Sequence, residues 1–207
     1  MAKKEEPLEA LRAYLPHGSY EPIAEYLIRY KVHLTITRTR KSVLGDYRNA
    51  VDNRNHRISV NGDLNRYAFL VTLLHELAHL LTFDRYGHRV APHGVEWKQQ
   101  FSMLLAEFLR LSVFPADIQQ ALLKSIASPA ASSCSDAGLL KVLRRYDPVK
   151  EGHLLVEDVA PGQLFKISGG RIFRRGEKIR KRIRCEEVAT RKVYLFSPVY
   201  EVVLVNT

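Results

Sequence analysis

The sequence predicts an α+β protein. A mixed helical and stranded domain should span residues 1–130, a linker with a short helix 131–145, and a small all-β unit 146–207. Three observations lead there. Apolar residues recur at helical spacing over 64–83 and again over 97–108. The β-branched runs VHLTITR (32–38) and HRISVNG (56–62) precede them. Beyond residue 145 the texture changes to short β-rich runs cut by PG and GG turns. With 207 residues, 46% apolar and 26% charged, the chain can bury a core of this size, which argues against global disorder.

Taken in order, Leu8, Leu11 and Leu15, then Ile23, Ala24, Leu27 and Ile28, mark two short helices broken at PHGS (16–19). VHLTITR and HRISVNG are strands, with a third around Ser42–Tyr47. HRISV is expected at a sheet edge, open to pair with an extended peptide. Asp63 is the expected N-cap of a helix from Leu64 to Phe83, which contains no Pro or Gly. DRYGHRVAPHG (84–94) reads as a loop. A second helix carries Trp97, Phe101, Leu104, Leu105 and Phe108 on one face. A third covers 114–126, with Pro115 in its first turn. ASPAASSCSD (127–136) is an exposed linker, followed by a short helix near 136–145. The β unit draws its core from Leu154, Leu155, Val156, Leu164, Phe165, Ile167, Ile172, Phe173, Ile183, Val193, Leu195 and Val202.

Composition narrows the function. The two cysteines, Cys134 and Cys185, lie far apart without a CxxC, so no disulfide framework is implied. The start MAKKEEPLEALRAYLP has no apolar core of a signal peptide. The apolar stretch 67–83 is interrupted by His75, Glu76 and His79, which disfavours a membrane span. A reducing cytoplasm and no membrane partner are expected. Of a net charge of +10, most sits in residues 165–192, with eleven Lys/Arg against three Glu. Arg174, Arg175, Lys178, Arg180, Lys181, Arg182 and Arg184, interleaved with Phe173 and Tyr194, are candidates for sequence-nonspecific contact with DNA phosphates. A solvated β surface accounts for the same charges equally well.

The chemistry lies in HELAH. On a helix, positions four apart differ by about 40°, so His75 and His79 can reach one metal ion from one face. Glu76 projects beside that face, where it can take a proton from water. Zinc lowers the pKa of such a water toward about 7. Three polar residues inside an apolar helix are costly unless they share a purpose. An open catalytic site needs a third protein ligand, and His88 and His93 both follow in the loop. His93 is favoured because it opens the second helix, a rigid element, whereas His88 is mid-loop.

These residues resemble the SprT-like, or Spartan-type, zinc metallopeptidases. The family pattern is HExxH, a loop of variable length, then His-Gly opening the next helix. His75, Glu76, His79, His93 and Gly94 match it, and Trp97 sits where the family has an aromatic. The resemblance covers roughly residues 20–110. It implies a compact zincin-like fold, one catalytic Zn²⁺, Glu76 as general base, and protein substrates of a class that includes DNA-crosslinked proteins. Relatives often end in a four-cysteine zinc ribbon. Here only Cys185 remains, so the β unit is expected to be ribbon-like, cysteine-depleted and without a second structural zinc.

Tyr67, Tyr86 and Arg89 are weaker candidates for stabilising an oxyanion. His17, His33, His56 and His153 show no ligand spacing. Two rivals stand beside the peptidase reading. One is a metal-containing nucleic-acid- or protein-binding module without protease activity. The other is a zinc hydrolase acting on a non-peptide amide.

Overall fold

In the computed structural model the chain resolves into two units, Met1–Asp147 with helices and strands and Pro148–Thr207 with strands, an α+β architecture. The structure describes residues 6–40, 43–51, 54–127, 136–148 and 152–205. Cys134 lies outside them. No helix among the described residues is long and apolar enough to cross a membrane.

The first unit opens with a 3₁₀ helix, Leu8–Tyr14, and helix α1, Tyr20–Arg29. Strands β1 (His33–Thr37), β2 (Gly45–Arg48) and β3 (Arg57–Asn61) follow, then helices α2 (Arg66–Tyr86), α3 (Val95–Arg110), α4 (Ala116–Ala127) and α5 (Ala137–Arg144). Helix α2 is the hub. Its apolar residues occupy every row, and residues 69–78 are all buried. A helix that is apolar all round belongs inside a fold.

Two local expectations are corrected. The N-cap of α2 is Asn65, not Asp63. The Asn65 backbone is extended, and its Oδ1 accepts from the amides of Tyr67 and Ala68 at 3.1 and 3.0 Å. Asp63 instead accepts a hydrogen bond from Thr39 Oγ1 at 2.8 Å. Nor is HRISV a sheet edge. The strand order is β1-β3-β2, with β3 parallel to β1 and antiparallel to β2, so both of its sides are paired. Ile58 and Val60 point from β3 into the core and are 1% and 0% exposed. The edge strand beside α2 is β2.

The start of β2 is fixed by buried Asn61. Its side chain accepts from Thr37 Oγ1 (3.0 Å) and Arg40 Nε (2.8 Å) and donates to the carbonyls of Arg40 (3.2 Å) and Val43 (3.1 Å). This ties Arg40 and Val43 to Asn61 at the end of β3. At the far end of the unit, Leu139 and Leu143 bury α5 in the same core as α2. Asn65 Nδ2 ties the two helices, donating to Leu143 O at 3.0 Å and Asp147 Oδ1 at 2.5 Å.

The second unit contains β4 (His153–Leu155), β5 (Leu164–Lys166), β6 (Ile172–Ile179), β7 (Arg182–Glu187), β8 (Val193–Phe196) and β9 (Glu201–Leu204). They form one antiparallel sheet in the order β4-β9-β5-β6-β7-β8. Val156, Val159, Phe165, Phe173, Ile183, Cys185 and Val202 make the core. Val193 and Leu195, expected inside, are 47% and 58% exposed. Register explains this. Cys185 pairs with Tyr194 and Ile183 with Phe196, so those partners share the inner face and the alternate residues of β8 turn out. The Cys185 thiol is fully buried, and burial raises its pKa. Phe173 belongs to this core, and its ring is 1% exposed.

Candidate metal centre

His75 and His79 stand one turn apart on α2, and His93 enters from the residue before the α3 cap, Gly94. Their Nε2 atoms form a nearly equilateral triangle: 3.3 Å for His75–His79, 3.1 Å for His79–His93 and 3.2 Å for His75–His93. Three neutral imidazoles cannot satisfy such a triangle among themselves, because each ring carries a single N–H. A tetrahedral Zn²⁺ with bonds of about 2.0–2.1 Å requires ligand nitrogens about 3.3 Å apart, and the triangle fits that demand. Among the described residues this is the cluster able to hold a metal ion.

The loop chemistry brings His93 inward. His93 adopts φ +59, a left-handed conformation that is strained for a residue with a side chain. Gly94 N then bonds to Ala91 O at 2.9 Å, closing a tight turn. A Cβ at Gly94 would meet that same carbonyl at 2.9 Å, so the close approach favours glycine. His88 stands apart in the loop, exposed, with its ring edge-on to Phe83 at 5.0 Å.

Trp97 lies against the whole cluster. Its ring centroid is 4.7 Å from His75, 5.3 Å from His79 and 4.7 Å from His93. Phe101 stacks on Trp97 at 5.0 Å and closes the apolar wall. The indole is 1% exposed, and its Nε1 has no hydrogen-bond partner among the described residues.

This wall sets the protonation states. Burial, then the neighbouring histidines, pushes His75 down to about 3, and burial with His93 takes His79 to about 4. Burial also lowers His93. All three are therefore neutral at pH 7, the form that binds metal. Glu76 moves the other way. Burial, reinforced by Asp46 and opposed by Arg40, raises it to about 8. Its side chain sits against Gly45 at the start of β2: a Cβ there would lie 2.6 Å from Glu76 Oε1 and 2.8 Å from Thr72 Cγ2. That close contact escaped sequence reasoning. A glycine at the start of a strand was its one local signal.

Tyr47 also escaped it. Its ring lies parallel to that of His79, 4° between planes and 6.4 Å between centroids, and its hydroxyl is 2.9 Å from His56 Nδ1. Burial holds the Tyr47 phenol protonated, well above its usual range. Of the proposed oxyanion donors, Tyr67 packs on Tyr146 at 4.9 Å and on Phe114 at 6.4 Å, in the core near the start of α2. The Arg85 guanidinium covers Tyr86, and Arg89 is exposed.

In the second unit, Arg174, Lys178, Arg180, Lys181, Arg182 and Arg184 are exposed. Arg182 and Arg184 alternate with inward Ile183 and Cys185. Arg175 is half-buried, paired across from Cys185.

The SprT-like family model matches residues 24–117, from α1 to the first turn of α4. No solved structure matches the chain.

Proposed function

On the premise that residues 24–117 belong to the SprT-like family, we propose that the first unit is a zinc-dependent endopeptidase. The observation that carries this reading is the Nε2 triangle beside a buried glutamate. His75, His79 and His93 would hold Zn²⁺ through Nε2. A bound Zn²⁺ would polarise the scissile carbonyl and acidify the attacking water.

The remaining work falls to the chain. Glu76 takes a proton from the attacking water at a carboxylate oxygen and returns one to the leaving amine. Its burial suits this role, since a carboxylate shielded from bulk water is a stronger base than one in solvent. Trp97 and Phe101 keep bulk water from the imidazoles and fix the rings. Strand β2 offers an edge that is unpaired among the described residues to an extended peptide, with Gly45 leaving room next to Glu76. The substrate backbone then runs beside the reacting centre, held by main-chain hydrogen bonds that do not depend on its sequence.

The exposed arginines and lysines at 174–184 support recruitment to DNA by sequence-independent phosphate contacts. DNA-associated or DNA-crosslinked proteins are the substrates this implies. A metal-binding module without protease activity is the rival, and it leaves the burial of Glu76 without a use. The test incubates the metal-loaded wild type and Glu76→Gln with an unfolded protein, with and without single-stranded DNA. Cleavage by the wild type alone is expected. Equal cleavage, or none, in every condition refutes the peptidase.

A further inference from the structure

A cavity of about 500 Å³ opens at the end of the first unit's sheet, outside the three-histidine centre. That is the size range of small-ligand sites. One rim comes from the end of α1. There Lys31 takes φ +51, and Val32 N bonds back to Leu27 O at 2.8 Å, so Arg29, Tyr30 and Lys31 line the cavity together. The other rim is Arg54, whose amide bonds to Val51 O at 3.0 Å. His56 and Asp84 complete the lining.

The charges here are not neutralised by ion pairs: Arg29, Lys31 and Arg54 are exposed and form none among the described residues. The dipole of α1 accounts for basic residues at its C-terminus, Arg29 and Lys31. It does not account for Arg54, which lines the same cavity from a separate part of the chain. His56 adds a directed donor. Its Nδ1 accepts from the Ala50 amide at 3.3 Å, so the neutral ring carries its proton on Nε2. Tyr30 is half-buried, with the Arg29 guanidinium over its ring 5.6 Å from the centroid, and Asp84 supplies an acceptor.

We propose that this cavity is a nucleotide-binding site in which Arg29, Lys31 and Arg54 hold a phosphate, Tyr30 stacks the base and Asp84 accepts from a base amino group. Cations that converge around an aromatic face, with a carboxylate inside, suit a phosphate joined to an amino-bearing ring. They suit a plain acidic peptide less well, because its carboxylates bring neither a ring for Tyr30 nor a ring amino group for Asp84. The phosphate can belong to a free nucleotide or to a single-stranded chain, and the recognising chemistry is the same. The site does not depend on the peptidase reading.

Titrate the full chain with inorganic phosphate, AMP and a deoxyadenylate octamer by calorimetry and fluorescence anisotropy. The wild type should bind AMP saturably at one site. Lys31→Ser/Arg54→Ser should weaken AMP at least tenfold, while Tyr30→Leu should weaken AMP and spare phosphate. Binding of the octamer alone, with the same variant losses, assigns the site to a single-stranded chain. Trp97 fluorescence and thermal melting verify that each variant is folded. If the double variant is not, the single substitution Arg54→Glu, at an exposed residue, is read in its place. Unsaturable binding of both AMP and the octamer by the wild type overturns the proposal, as do affinities unchanged by these substitutions.

Discussion

Replacing Glu76 with Gln should stabilise the metal-free protein, and by an amount that grows with pH. Burial lifts the Glu76 carboxyl from 4.5 to about 8 in the folded chain. The folded state therefore holds a proton that the unfolded state has lost throughout pH 4.5–8. Stability from this group is fully present below 4.5 and disappears as pH rises through 8. Glutamine is neutral at every pH and nearly the same shape, so it escapes that loss. At about 1.4 kcal/mol per pH unit, the variant should gain roughly 3 kcal/mol over wild type between pH 5 and pH 8. The histidines titrate with the opposite sign: their lowered pKa values cost stability as pH falls below 6.5. They are present in both proteins, so the difference between the two curves isolates Glu76. The assay is urea denaturation in chelator at several pH values, followed by the fluorescence of Trp97, the one tryptophan in the chain. Because Trp97 lies in the first unit, the signal reports that unit. A stability difference that stays flat from pH 5 to pH 8 would refute the claim that Glu76 is held in a costly, water-excluded position.

Further outcomes follow from the same geometry. His93→Ala should abolish stoichiometric zinc binding, whereas His88→Ala should leave it unchanged; metal analysis after dialysis decides, and equal loss in both would remove the His93 assignment. Gly45→Ala should cut peptidase activity at least tenfold while the zinc content holds, because its Cβ would drive Glu76 Oε1 from 2.6 Å to an ordinary contact distance; full activity in this variant would show that Glu76 has slack. Asn65→Ala removes both the α2 cap and the tie to α5, so a loss of about 1–3 kcal/mol in denaturant unfolding is expected.

How much of this was legible depended on how local each interaction was. HELAH announced itself because two imidazoles four residues apart meet by helix geometry alone, and His93-Gly94 carried its own turn chemistry. The helix expected at 64–83 runs from Arg66 to Tyr86, between the Asn65 cap and Gly87. The readings that failed involve partners distant in sequence. HRISV looks the same at an edge or in the centre, and only its pairing with both β1 and β2 decides. Val193 and Leu195 are as apolar as Tyr194 and Phe196, and which pair turns inward depends on the register with Cys185. Asp63 and Asn65 are both good caps; Thr39, brought alongside by the sheet, engages the first.

The contacts around the histidines carry the same lesson further, because several of them oppose stability. Glu76 is a buried carboxyl, His93 adopts a strained left-handed backbone, and the Trp97 N–H is buried without a partner among the described residues. Each feature alone costs about 1 kcal/mol or more, and folding by itself would select none of them. They converge on one triangle of nitrogens less than 3.5 Å on a side. Only the first cost was visible in the sequence, as charge and imidazole inside an apolar helix. The other two appear once α3 packs on α2, and they point to the same place. Positive φ angles and unsatisfied buried donors also occur singly elsewhere, at Lys31 and Arg57 for example; at the triangle three different kinds of cost coincide, which is what a site selected for chemistry predicts.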